Sequence, residues 1–235
     1  MIIFYFKLII VLFVTGCYSV YATIKMAISG GEVFHKLARN WSYLLLKIVG
    51  IKIEIIDFAN LDKSKTYIYA VNHSSLFDIP ILLYGLNDNA RIMYKEELEK
   101  IPIFGYVLKL SPFISIQRAD ARNAMEAIDS SAKSIKEGDS VIIFPEGTRS
   151  VDGNLGEFKR GAFLLATKAE KPIVPVTIVG SYNILPKGQK KLSPGTVKLI
   201  INQEILNESD SKQSQIKLLN EVRDIISENL EKYSK

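Results

Sequence analysis

The sequence predicts an α/β fold: a single domain on a mixed sheet flanked by helices, preceded by an N-terminal membrane-associated helical segment. Three observations predict it. Apolar, β-branched runs at residues 66–71 and 140–144 read as buried strands, and helical patterns lie between the strands. Both runs pass directly into short polar loops, as strands do at the ligand-binding rim of α/β sheets. The first 24 residues carry one charge, Lys7, and residues 8–24 carry none.

Composition sets the frame. With 235 residues, 48% of them hydrophobic, the chain can bury one sizeable core. One cysteine, Cys17, rules out an internal disulfide, and no Cys/His cluster has zinc-ligand spacing. The net charge of +5 is uneven: Lys25, Lys36, Arg39, Lys47 and Lys52 stand together with Glu32 as the only acid among them. That cluster, following an apolar segment, points to an anionic membrane surface. Nucleic acid is the weaker reading and is not expected as a partner, because no basic and aromatic surface module is present.

The elements follow in order. Residues 8–24, extended by the apolar start of the chain, are long enough to anchor in or cross a bilayer. A cleaved signal peptide fits less well, with Lys7 alone as its basic region and no Ala-x-Ala site. Val14-Thr15-Gly16-Cys17 offers a third reading, a lipoprotein processing site. The basic residues after the segment place the bulk of the chain on the cytoplasmic side.

Residues 33–51 repeat Leu37, Trp41, Leu44, Leu45 and Ile48 at helical spacing, with Trp41, Tyr43, Arg39 and Lys47 suited to a membrane interface. The alternative is an amphipathic helix packed on its own domain. Gly50 ends it. The division expected is 1–50 for membrane-anchoring helices and 51–235 for the globular domain.

Residues 51–55 alternate as a strand. Residues 66–71 form the next, leading into Asn72-His73-Ser74-Ser75-Leu76-Phe77-Asp78, where Ser74 or Ser75 can cap a helix running through Leu83. Five helical steps do not place two side chains on one face, so His73 and Asp78 meet only if His73 lies in the turn. Then Asp78 holds one imidazole nitrogen and the other is free as a base. No Ser or Cys stands in a nucleophile-elbow setting, so the nucleophile belongs to the substrate. Taken alone, a histidine beside a strand is more often a structural hydrogen-bonder.

Residues 91–94 read as a strand entering Lys95-Glu96-Glu97-Leu98, and residues 101–105 begin a short helix. Residues 113–116 are a strand ending at Gln117-Arg118. Asp120 caps a helix with Ala124, Ile128, Ala132 and Ile135 on one face, stopped by Gly138. The strand at 140–144 runs into Pro145-Glu146-Gly147-Thr148-Arg149-Ser150. Residues 158–169 are helical. Residues 172–178 are a strand whose interior proline predicts an edge or a bulge. Residues 196–201 form the last strand, and Ile216, Leu219, Val222, Ile225 and Ile226 mark a C-terminal amphipathic helix. In the loops, Glu146, Gly147, Arg149, Arg118 and Lys95 offer close backbone approach and a cationic pocket for a phosphate. Each of these alone reads equally as a solvated charge.

As a set, these residues resemble the glycerolipid acyltransferases of the 1-acylglycerol-3-phosphate acyltransferase type. Four blocks match in order: Asn72 to Asp78 as a His-x4-Asp block, Phe113-Ile114-Ser115-Ile116-Gln117-Arg118, Phe144-Pro145-Glu146-Gly147-Thr148-Arg149-Ser150, and Pro172-Ile173-Val174-Pro175-Val176. Lys95-Glu96-Glu97-Leu98, Pro102-Ile103-Phe104-Gly105 and Phe158-Lys159-Arg160-Gly161 match as well. The resemblance covers residues 50–180. It departs in the second block, where Ser111-Pro112 and Gln117 replace the family's opening glycine and the acid before its arginine.

The resemblance implies transfer of a fatty acyl group from acyl-CoA or acyl-carrier protein to the sn-2 hydroxyl of 1-acyl-glycerol-3-phosphate (lysophosphatidic acid). The product is phosphatidic acid, for phospholipid biosynthesis. It implies His73 as base and Asp78 as its support, with Lys95, Arg118 and Arg149 on the acceptor's phosphate and Glu146 and Gly147 shaping that pocket. Backbone amides just after His73 are implied as oxyanion donors. No cofactor or metal is implied, and membrane lipids are partners. The implied location is the inner or cytoplasmic membrane, catalytic domain facing the cytoplasm; because the donors are cytoplasmic, the lipoprotein reading would put the site on the wrong side. Rival readings are acylation of glycerol-3-phosphate or another lysolipid, and an inactive lipid-binding membrane protein.

Overall fold

The computed structural model describes residues 1–116, 121–136, 138–206 and 211–234. Helix α1 (Ile2–Ser29) leads through a 3-10 turn to α2 (Phe34–Val49), which Gly50 closes in the left-handed conformation at φ 84°. Then follow β1 (Ile51–Asp57), β2 (Ile68–Val71), α3 (Asp78–Gly85), β3 (Arg91–Lys95), α4 (Phe104–Leu110), β4 (Ile114–Ile116) and α5 (Ala121–Lys136). The chain ends with β5 (Val141–Ile143), α6 (Arg160–Ala169), β6 (Ile173–Val179), β7 (Gly195–Ile201) and α7 (Lys212–Tyr233).

The seven strands form one mixed sheet in the order β1-β7-β6-β2-β5-β3-β4. From β6 to β4 every pairing is parallel; β7 is antiparallel to β6, and β1 is parallel to β7. All four residues of β2 are buried because helices cover both faces of the sheet. Tyr69 and Val71 join a cluster with Leu45, Leu46 and Val49 of α2 and Ile81 and Leu82 of α3. Ile68 and Ala70 point the other way, to Ile135 of α5, Phe163 of α6 and Val222 of α7. A strand buried on both faces reads as a continuous apolar run, which is how residues 66–71 look in sequence.

The apolar side of α2 is turned into the molecule. Phe34, Leu37, Leu45, Leu46 and Val49 are buried. Arg39 donates to the Leu86 carbonyl and Trp41 Nε1 donates to Thr15 Oγ1 at 3.3 Å. Of the two readings of residues 33–51, packing on the domain is the one observed. α1 lies along the same side. Its Ala22 and Met26 pack with Phe34, Leu37 and Val107, and Phe4, Val11 and Val14 rest against the main core. Its outer surface is apolar and exposed, including Ile2, Ile9, Leu12, Phe13, Val20 and Ile24. Among the described residues, α1 alone is long and apolar enough to cross a membrane.

Two expectations are settled in part. Of the edge or bulge expected at Pro175, the edge is not found: β6 is interior, between β2 and β7, with every residue buried, and its pairing slips by one residue across Pro175, from Val176↔Ile201 to Ile173↔Ile205, as at a bulge. Ile173, two residues earlier and on the same side, exchanges hydrogen bonds with Ile205, while the Pro175 carbonyl accepts from Asn202 N–H at 3.0 Å. The missing N–H of Pro175 therefore faces the short break between Ile201 and Ile205, where no ladder bond is lost. In α7 the buried line is Leu218, Val222 and Ile226, flanked by Gln215 and Asn229, and Ile216 is exposed. Asn229 explains the shift: it donates to Thr177 Oγ1 at 3.1 Å and to Asn202 Oδ1 at 2.8 Å, docking α7 through polar contacts. The Asp120 cap lies outside the described residues.

Candidate active site

Strands β6, β2, β5 and β3 run parallel, so their C-terminal ends share one rim of the sheet. The His73 turn, the 145–150 loop and Lys95 all sit on that rim, where open α/β sheets bind ligands.

Asn72 fixes the first turn. Its Nδ2 donates to the Ile178 carbonyl at 3.0 Å, and its Oδ1 accepts from Ile178 N–H at 2.8 Å. A side chain thus continues the β2–β6 ladder one step past the strand. His73 then leaves the sheet, and its ring stacks on Phe144 with centroids 4.1 Å apart. Its Nδ1 lies 2.8 Å from Oδ2 of Asp78, a fully buried carboxylate on the first residue of α3. The same Oδ2 accepts the N–H groups of Ser74 and Ser75, each at 2.8 Å. The turn closes the five-residue separation as the spacing required. Facing a carboxylate, Nδ1 carries the ring proton, which leaves the lone pair of Nε2 pointing away from Asp78.

The serines do not act as expected. α3 starts at Asp78 with Phe77 before it, and the Ser75 hydroxyl accepts Phe77 N–H at 3.2 Å instead of capping a helix at Ser75. Ser74 Oγ pairs with Ser181 Oγ at 2.8 Å, deep in the structure. With the Ser74 and Ser75 amides both bound to Asp78, those two are not available to an oxyanion.

The second loop is held to the first by Glu146, which is 6% exposed. Its Oε1 accepts His73 N–H at 2.7 Å and its Oε2 accepts Gly156 N–H at 2.8 Å. Both oxygens are engaged by backbone, so the side chain shapes the site from beneath. Burial raises its pKa above the ordinary carboxylate value, against the two backbone hydrogen bonds, which lower it. Ser150 N–H donates to the His73 carbonyl at 2.8 Å, a further tie between the loops.

Gly147 sits at φ 71°, and a Cβ there would lie 3.0 Å from Lys159 Cε and Nζ, so both backbone and space call for glycine. Arg149 is half-buried and forms no ion pair with a carboxylate among the described residues. Burial lowers its pKa and the Asp78 charge opposes that; a guanidinium stays cationic in either case. Lys95 is exposed, 3.2 Å from Glu97, and two inter-strand steps from β2, roughly 10 Å along the rim. Arg118 and Gln117 lie outside the described residues.

The structure thus joins His73, Asp78, Glu146, Gly147 and Arg149 around one turn and sets Lys95 further along. Sequence reading had not assigned Asn72, Lys159 or Lys187. Asn72 and Lys159 stood inside quoted motifs. Lys187 had no signal, since its partners, Thr148 Oγ1 at 2.9 Å and the Arg149 carbonyl at 3.2 Å, lie 39 and 38 residues away.

Fold and site define an α/β protein with a carboxylate-oriented histidine at the strand-end rim and cations beside it. The chain belongs to the acyltransferase family, whose sequence profile matches residues 52–179, over half of its length. A 1-acyl-sn-glycerol-3-phosphate acyltransferase of Brassica napus chloroplasts is 35% identical over 73% of this chain and 50% of its own. The Saccharomyces cerevisiae 1-acyl-sn-glycerol-3-phosphate acyltransferase is 27% identical over 93% of this chain and 74% of its own. The crystal structure of PlsC, the 1-acyl-sn-glycerophosphate acyltransferase of Thermotoga maritima, has the same fold: TM-score 0.75 at 24% identity, covering 96% of this chain and 97% of that one. The chain spans about half the length of several curated relatives that it matches.

Proposed function

We propose that the protein transfers a fatty acyl group from a thioester, acyl-CoA or acyl-carrier protein, to the sn-2 hydroxyl of lysophosphatidic acid, giving phosphatidic acid. The observation that carries this reading is the His73–Asp78 pair, with no other hydrogen bond to the ring and no activated nucleophile beside it among the described residues. The adjacent hydroxyls are engaged, Ser74 with Ser181 and Ser75 within the turn. The relatives' names support the acceptor.

In this reading Nε2 of His73 takes the acceptor's hydroxyl proton as that oxygen attacks the thioester carbonyl. The buried Asp78 carboxylate stabilises the imidazolium through Nδ1–H. The tetrahedral intermediate collapses, the C–S bond breaks, and the imidazolium returns the proton to the departing thiolate. A thioester is activated enough that the scheme needs no cofactor. Arg149 receives the acceptor's phosphate in a bidentate contact, with Lys95 as a further cation on the same rim, and Arg118 is proposed to add its charge to that phosphate. The outward apolar face of α1 enters the cytoplasmic membrane, and the basic residues that follow it keep the catalytic domain on the cytoplasmic side.

The test is turnover by the purified full chain with labelled acyl-CoA or acyl-carrier protein and a panel of acceptors. Lysophosphatidic acid is expected to be acylated in preference to glycerol-3-phosphate and other lysolipids. In Arg149→Ala the Michaelis constant for lysophosphatidic acid should rise about tenfold or more, a loss of at least about 1.4 kcal/mol, with that for the donor little changed. Equal changes in both constants would assign Arg149 a structural part only.

A further inference from the structure

We infer that the loop after β6, through Lys190 and Lys191, is the binding site for the phosphates of the acyl donor's pantetheine arm. The inference rests on the acyl-transfer reading and adds the second substrate to it.

The loop is built against the catalytic turn. Pro186 to Gln189 form a tight turn closed by Gln189 N–H donating to the Pro186 carbonyl at 3.2 Å, with Gly188 at φ 77° as a type II turn demands. Pro186 bridges to Ser75, and Ser75 Oγ donates to the Leu185 carbonyl at 3.3 Å. Lys187 reaches across to Thr148 Oγ1 and the Arg149 carbonyl, which holds its ammonium beside the site. Lys190 and Lys191 are exposed. No acidic residue occurs between Glu170 and Glu204, and no carboxylate pairs with these lysines among the described residues. A cluster of cations with no acid beside it is a ready site for an anion.

Position selects the anion. The acceptor's cations stand on the β5 and β3 side of His73, whereas this loop follows β6 on the other side. Lys187 spans the two inter-strand steps from β6 to β5, about 10 Å, and ends beside Arg149 at the acceptor's edge, which leaves Lys190 and Lys191 for a second anion. The reaction brings two phosphate-bearing molecules to one histidine, and the second is the thioester donor. With its carbonyl at His73, the pantetheine arm carries its phosphates outward, towards Lys190 and Lys191. Lys190 also lies 5.6 Å from the Tyr5 ring centre, at the start of α1, so anionic lipid headgroups are the rival occupant.

The experiment compares the wild-type full chain with Lys190→Glu/Lys191→Glu in zwitterionic micelles, with circular dichroism as the folding control. The Michaelis constants for palmitoyl-CoA and for palmitoyl-acyl-carrier protein should be measured separately, and free coenzyme A titrated to equilibrium. The expected result is a rise of about tenfold in the constant for the donor that uses the loop, while the constant for lysophosphatidic acid and the turnover at saturation move less than about twofold. A rise with palmitoyl-CoA, matched by weaker coenzyme A binding, identifies the nucleotide-borne phosphates. A rise confined to acyl-carrier protein identifies the protein-borne arm. Unchanged constants for both donors in a turning-over variant overturn the inference, as does a rise in the acceptor constant. A defect seen only on anionic vesicles would also overturn it, giving the loop to headgroups. Failure of the acyl-transfer reading shows separately, as no turnover by the wild type with either donor.

Discussion

His73→Ala is expected to lower turnover at least about a hundredfold, the loss typical of removing a general base, while the protein stays folded. Both halves follow from the site. The ring makes one side-chain hydrogen bond, to Asp78, and one stacking contact, with Phe144. Removing it leaves Asp78 Oδ2 with the two backbone N–H groups of Ser74 and Ser75, so the turn keeps its internal ties. Asn72 still clamps the strand end through Ile178, and Glu146 still holds the His73 N–H, which alanine retains. Activity has no such substitute, since the neighbouring hydroxyls are engaged and offer no base. Asp78→Asn should also impair turnover strongly, because the amide removes the charge that supports the imidazolium. Steady-state turnover of a labelled donor, beside thermal unfolding of each variant, measures both halves. A folded His73→Ala protein retaining a tenth or more of wild-type turnover would remove His73 from the role.

Some of this was legible in the sequence, and the reasons differ by residue. His73 and Asp78 were readable because a strand pattern before them and a helix after them leave one geometry in which they meet. The rim position of Arg149 was readable for the same reason. Contacts made through backbone were not. Glu146 shows its charge in sequence but not that the N–H groups it binds belong to residues 73 and 156. Lys187 depends on contacts about 39 residues back, which no local pattern encodes. Pro175 left an edge and a bulge both open, because the side of β6 that its missing N–H faces is set by where β7 ends. The stripe on α2 suits a bilayer surface or a sheet equally well, since burial in either asks only for apolar residues at helical spacing. The structure turns that stripe inward and leaves an apolar outer face to α1.

Glu146 should produce a large stability effect. Glu146→Ala strands the N–H groups of His73 and Gly156 beneath the loops, at about 1–3 kcal/mol each, and empties the volume between them. A loss of several kcal/mol is a large share of the about 5–15 kcal/mol available to a domain, so this variant is expected to unfold well below the wild-type melting temperature. Glu146→Gln keeps the shape but offers a single acceptor, so one N–H meets an amide NH2 instead. It should fold at a cost of about 1–3 kcal/mol. Its turnover should fall while both Michaelis constants stay near wild type, because the side chain sets the backbone of His73 and touches neither substrate. A selective rise in the acceptor constant would instead put Glu146 in contact with lysophosphatidic acid. The pH dependence adds a second readout. The folded-state pKa of Glu146 is raised above its ordinary value of 4.5, so the folded protein binds that proton more tightly than the unfolded chain. The stability linked to that proton is complete below the ordinary value and is lost as pH rises through the folded-state pKa. Wild type should therefore lose stability relative to Glu146→Gln over that window, and parallel stability curves for the two proteins would argue against a buried, titrating carboxyl at this position.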